Sequence, residues 1–299
     1  MTTLSFPGLG IGEFTVNSEA FSLFGAPIAW YALIICVGMI FAVTYVIYRS
    51  KQIGIDSEQI LDFALFVIPI GVLGARLYYV IMKLDQFHSI GDVFNIRDGG
   101  LAIYGGIIAG ALTVFVICKI KKIYFPAFAD CVVPGLIMAQ SIGRWGNFMN
   151  GEAFGAQTDS FLRMGIHNRI SEYYFKNYDH MVYVHPTFLY ESLWNLVGFI
   201  AINFFFKHKK YDGQIFLMIF GWYGLGRMII EGFRMDSLYL FGTSIRVSQA
   251  LAGLLFVTCA ALLIYFAFKR PDRPFYKMEA AKATAGKNDR KNKKDNTEE

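Results

Sequence analysis

The chain has 299 residues, of which 55% are hydrophobic and only 17% charged, with a formal net charge of +5. Soluble domains are about 45–50% apolar even when glycine is counted, and about 25% charged. That difference excludes an ordinary soluble enzyme, a disordered chain and a small disulfide-stapled secreted fold.

The apolar residues fall in blocks. A bilayer core of about 30 Å takes roughly 20 mostly apolar residues as helix. Seven stretches qualify: 27–48, 59–82, 99–118, 125–142, 186–206, 213–230 and 247–268. The expected fold is all-α and polytopic, with about seven transmembrane helices. The first stretch has no basic leader and is expected to stay as a helix rather than be cleaved.

Basic residues set the expected orientation. Arg49 and Lys51 follow the first span. Lys119, Lys121 and Lys122 follow the third, and Lys207, Lys209 and Lys210 the fifth. Residues 269–299 hold ten basic and six acidic side chains. Alternating spans place all four regions on one side, which is then cytoplasmic. The N-terminus is expected outside and the C-terminus inside. One catalytic membrane domain over 1–270, with outer loops at 83–98 and 143–185, would precede a basic, disordered cytoplasmic tail over 271–299. The tail suits anionic headgroups. Without interleaved aromatics or a preceding binding fold, it does not point to nucleic acid.

Several arginines break the charge rule by falling on the outer side: Arg97, Arg144, Arg163, Arg169, Arg227 and Arg234. Each needs another reason to be there. Arg76 lies inside the second span. It either snorkels to headgroups or faces a site. The third span opens with Tyr104 before Gly105 and Gly106, and Gly106 with Gly110 would let another helix approach closely.

The densest polar stretch is Gly143-Arg-Trp-Gly-Asn-Phe-Met-Asn-Gly-Glu-Ala-Phe-Gly155. Arg144 offers a planar fork suited to phosphate. Asn147 and Asn150 donate and accept hydrogen bonds, and Glu152 can hold an arginine or take a proton. His185 and Glu191 lie at the outer end of the fifth span, where Pro186 suits a first helical turn. In Tyr223-Gly-Leu-Gly-Arg-Met-Ile-Ile-Glu-Gly-Phe-Arg234, a helix at about 100° per residue puts Tyr223, Arg227, Glu231 and Arg234 on one face. A structural ion pair between Arg227 and Glu231 satisfies the same spacing. The four cysteines all fall in spans without CxxC spacing, and no histidines show HExxH spacing, so a metal site is not expected.

Together these patches resemble bacterial prolipoprotein diacylglyceryl transferases. The family's signature is carried by residues 143–155. Ala29-Trp30-Tyr31, Gly74-Ala75-Arg76, Gly99-Gly100-Leu101 with Tyr104, His185-Pro186 with Leu189-Tyr190-Glu191, and Ser248-Gln249 also match. The resemblance runs from about Phe6 to Lys269.

It implies transfer of the sn-1,2-diacylglyceryl group from phosphatidylglycerol to the lipobox cysteine of a prolipoprotein signal peptide. A thioether forms and glycerol 1-phosphate leaves, without metal or organic cofactor. The setting would be the bacterial cytoplasmic membrane, with the site toward the outer leaflet. By motif, Arg144 and Arg227 hold phosphate, with Asn147 and Glu231 around them. Tyr31, Arg76, Asn150, Glu152, Gly155, Tyr223, Arg234 and His185 contact substrate. Many relatives carry histidine where this chain has Tyr104. A phenol near pKa 10 is a poor base at neutral pH, so Tyr104 is given an orienting role and the base stays unassigned. A membrane transporter for an anionic substrate is the alternative, but no internal repeat supports it.

Overall fold

In a computed structural model, the described residues are 1–87, 89–95, 99–176, 180–235, 239, 243, 246–269 and 275. The tail apart from Phe275, the loop residues His88 and 96–98, and hence Arg97, lie outside them.

The chain opens with four strands: β1 (Thr2–Phe6), β2 (Ile11–Val16), β3 (Glu19–Leu23) and β4 (Ala26–Ala29). Then come the long helices α1 (Trp30–Ser50) and α2 (Ser57–Met82), the short α3 (Ile90–Phe94), α4 (Ile103–Ile120) and α5 (Phe125–Asn150). Between spans lie β5 (Met164–His167), α6 (Arg169–Phe175) and β6 (Val182–Val184). Helices α7 (Thr187–Phe205), α8 (Gln214–Ile230) and α9 (Val247–Phe268) complete the order.

Among the described residues, seven helices have the length and composition to cross a membrane, so the protein is a multi-pass membrane protein. The spans agree with the hydropathy blocks to within a few residues, with 27–29 in strand β4 rather than in α1 and α4 starting at Ile103; the large departure is α5, which continues to Asn150. The expected outer loop 143–185 is therefore too long at its start. Residues 143–150 are the last two turns of a helix, because backbone hydrogen bonding continues past the point where apolar side chains stop.

Two compact units divide the chain. One comprises Met1–Tyr45 and Val132–Arg273, and the other is built on Val46–Cys131.

In the second unit, α2 packs closely on α4. A Cβ on Gly74 would meet the Gly105 carbonyl oxygen at 2.8 Å, and one on Gly106 would meet the Gly71 oxygen at 3.4 Å. The expected glycine face is present, with Gly105 rather than Gly110 at its tightest point.

In the first unit, β2, β1, β5 and β6 form a four-stranded antiparallel sheet. The helical expectation did not include it. Leu4, opposite Ile166, joins Phe6, Phe154, Met164, Val182, Val184 and Phe188 in one core. Phe188 belongs to the first turn of α7, so this core fixes the entrance of that helix. Helices α7 and α8 meet through Trp194 and Trp222. Their rings stack at 4.3 Å and 17°, and each indole N–H donates to the other's carbonyl at 2.9 Å. Gly198 and Gly226 supply the room: a Cβ at either would collide with the facing indole.

Candidate active site

Arg144 and Asn147 share a face of the last turns of α5, three residues apart. Arg144 Nη1 donates to Asn147 Oδ1 at 3.4 Å. The helix ends at Gly151, whose φ of +62° favours glycine. The turn brings Glu152 back under the helix, where its backbone N–H donates to the Asn147 carbonyl at 3.1 Å. Glu152 Oε1 accepts from Asn147 at 3.0 Å and from Asn150 at 3.1 Å. Both asparagines thus orient this carboxylate.

The chain then runs extended between two others. Gly155 N donates to His185 O at 2.9 Å, and Ala156 N to Phe233 O at 2.7 Å. Gly155 also bridges Arg234. A Cβ at Gly155 would lie 2.8 Å from both His185 Cβ and Phe233 O. This glycine is required by close backbone approach.

Helix α8 carries Arg227 in its last turn, and Glu231 follows in a single 3-10 turn. Arg227 Nη2 and Glu231 Oε2 are 2.7 Å apart, the expected i,i+4 pair. The helix does not continue to Arg234, which is extended at φ −78°, ψ 147°. The expected single helical face is therefore corrected, yet the side chains still converge.

They converge on Glu191 of α7, which is only 4% exposed. Arg144 Nη2 is 2.5 Å from Glu191 Oε2. Arg227 Nη1 and Arg234 Nη1 share Oε1 at 2.9 and 3.3 Å. Arg144 Nε is buried with no hydrogen-bond partner among the described residues. Arg246, just before α9, donates to the Glu231 carbonyl. Sequence reasoning placed Glu191 at a helix end without giving it a role, and it passed over Arg246. The available signal for Glu191 was an ionisable residue within an apolar span.

Beside the cluster is a cavity of about 370 Å³, lined by the polar Asn147, Glu152 and Arg234 and by Phe154, Ile170 and Tyr174. Tyr31, second in α1, lays its ring against Gly146, where a Cβ would meet ring Cδ2 at 2.7 Å. It lies within electrostatic reach of Glu152 and Arg144, as Tyr223 does of Arg144. His185 Nδ1 is 3.3 Å from the Tyr190 hydroxyl, and its ring sits 4.9 Å from that of Phe233. Partial burial lowers its pKa below the ordinary 6.5, so the imidazole is neutral at neutral pH.

Arg76 and Tyr104 belong to the second unit. Arg76 is committed to backbone: its guanidinium donates to the carbonyls of Asp92, Val93, Gly99 and Gly100 at 2.6–3.0 Å. Phe87 lies 5.1 Å from its carbon Cζ. Arg76 ties the backbone at Asp92 and Val93 to that at Gly99 and Gly100. Tyr104 stands half-exposed in the first turn of α4. Among the described residues no three His, Cys, Asp or Glu side chains gather to hold a metal ion.

A convergence of arginines beside a half-apolar cavity, in a membrane protein, suits an anionic lipid headgroup. Comparisons with known proteins point the same way. The sequence pattern of the family described as prolipoprotein diacylglyceryl transferase matches residues 18–265. A phosphatidylglycerol–prolipoprotein diacylglyceryl transferase of Enterococcus faecalis is 42% identical over 272 residues, covering 89% of this chain and 96% of the relative. Another, of Clostridium perfringens, is 41% identical, covering 83% and 95%. One from Listeria welshimeri is 40% identical, covering 90% and 96%.

Proposed function

Given that the chain belongs to the prolipoprotein diacylglyceryl transferase family, we propose that its arginine cluster seats the lipid phosphate during the family's reaction. The enzyme transfers the diacylglyceryl group from phosphatidylglycerol to the cysteine of a prolipoprotein. The thiolate attacks the glyceryl carbon that bears the phosphate ester. The carbon–oxygen bond breaks and glycerol 1-phosphate departs with the electron pair. A phosphodiester becomes a monoester, so negative charge grows on the leaving group.

The observation that carries the residue roles is the convergence of Arg144, Arg227 and Arg234 on one buried carboxylate. Three guanidinium groups face Glu191 and Glu231, leaving an excess of one positive charge. Fixed donors of this kind stabilise charge as it develops, without reorganising. Asn147, Asn150 and Glu152 form the polar wall for the headgroup's glycerol. Tyr31 and Tyr223 line the site, Gly155 keeps its floor closely packed, and the neutral His185 borders it. Tyr104 orients substrate. Arg76 acts by holding the carbonyls of Asp92, Val93, Gly99 and Gly100.

The basic loops support an N-terminus outside, a cytoplasmic C-terminus and a site toward the outer leaflet. Residues 1–270 then act as one catalytic membrane domain and the tail is dispensable. Purified protein with phosphatidylglycerol and a lipobox peptide should add the mass of one diacylglyceryl group to the peptide. An unmodified peptide, with the protein folded, would overturn the assignment.

A further inference from the structure

The three arginines offered to a phosphate are already holding an anion. Glu191 Oε2 takes Arg144, and Oε1 takes both Arg227 and Arg234. A carboxylate and the unesterified oxygens of a phosphodiester have the same demand: two oxygens, one negative charge, planar donors arriving from several sides. We propose that Glu191 is an internal substitute for the substrate phosphate, occupying its seat until the lipid headgroup takes the arginines over. The inference rests on the transferase assignment above and deepens it.

Two details fit an exchange rather than a permanent lock. Arg227 and Arg234 crowd onto the same carboxylate oxygen, and the approach of Arg234 is long at 3.3 Å. Arg144 also keeps a buried Nε with no hydrogen-bond partner among the described residues. That donor becomes useful when the phosphate arrives with ester oxygens beside its two unesterified ones, and again when the leaving monoester frees a third. The exchange has a selective consequence. A small free anion must displace Glu191 by charge alone. A lipid also brings apolar burial and a glycerol that Asn147 and Glu152 can bind, so only the lipid competes well. Because the seat is seldom free, apparent affinity is reduced by the fraction of time it is open.

The test removes the charge and keeps the shape. In Glu191→Gln, KM for phosphatidylglycerol should fall about tenfold as the seat opens, while kcat falls because Arg144 is no longer held in place. Inorganic phosphate and glycerol 1-phosphate should raise the melting temperature of this variant saturably, and leave the parent protein unmoved at the same concentrations. An unchanged or higher KM, or an equal phosphate response in both proteins, would overturn the proposal. If Glu191→Gln does not assemble, Glu191→Asp keeps the charge on a shorter stem that cannot reach all three arginines. Its KM should fall about threefold, and a KM that stays level or rises counts against the idea. The phosphate response is read without turnover. Failure of the transferase assignment would show separately, as no mass gain with the parent protein.

Discussion

Arg227 and Glu191 face each other from neighbouring helices, with Nη1 of the first 2.9 Å from Oε1 of the second. Arg227 also holds Glu231, in the 3-10 turn that follows its helix, at 2.7 Å. One guanidinium therefore ties α7 to α8 and serves the site at once.

Arg144→Lys and Arg227→Lys should each reduce diacylglyceryl transfer to a lipobox peptide. A lysine is a point charge and cannot reproduce a fork that reaches two partners. Loss of one charge-stabilising donor typically costs roughly 10²–10³-fold in rate. Transfer within threefold of the parent rate would remove that arginine from the phosphate seat.

The charge swap Arg227→Glu with Glu231→Arg separates pairing from catalysis. An i,i+4 pair alone would tolerate it. Here the new carboxylate would face Glu191, and uncompensated buried charge costs about 3–5 kcal/mol. The swapped protein should be inactive and elute from size exclusion as aggregated or unstable material. A stable, active double variant would show that Arg227 serves only its helix.

Gly155→Ala should destabilise the protein by about 1–3 kcal/mol, the usual cost of forcing atoms into a packed site. The added methyl would press on His185 and Phe233. A fall in melting temperature, with the transfer rate lowered, is expected. An unshifted melting curve would mean that the backbone can part there.

Tyr104→Phe should retain measurable transfer, since the hydroxyl is assigned to orientation. Complete loss, with phosphatidylglycerol binding intact, would make the hydroxyl a direct participant.

Reporter fusions after Lys122, after Lys210 and at the C-terminus should all report cytoplasm. An external signal from any of them would overturn the charge-based orientation.

The spans were legible because length and apolar composition are local properties. The end of α5 was not: the hydropathy block stops near Ile142, while the helix runs to Asn150 through Arg144 and Asn147. The sheet was harder still. Leu4 pairs with Ile166, and no short stretch of sequence carries a partner that distant. For the candidate site, Arg227 and Glu231 were readable from helical spacing. Glu191 sits on a different helix, and its place at the centre follows from how α5, α7 and α8 pack. That is a tertiary fact.

The stacked indoles of Trp194 and Trp222 have a further consequence. Two chromophores held 4.3 Å apart at 17°, each fixed by a reciprocal hydrogen bond, share their excited states. They should give a near-ultraviolet circular-dichroism band that neither ring produces alone. Because one ring belongs to α7 and the other to α8, the band vanishes when those helices separate. Since the same two helices carry Glu191 and Arg227, the protein contains its own optical gauge of whether its charged centre is assembled, readable in detergent without a label.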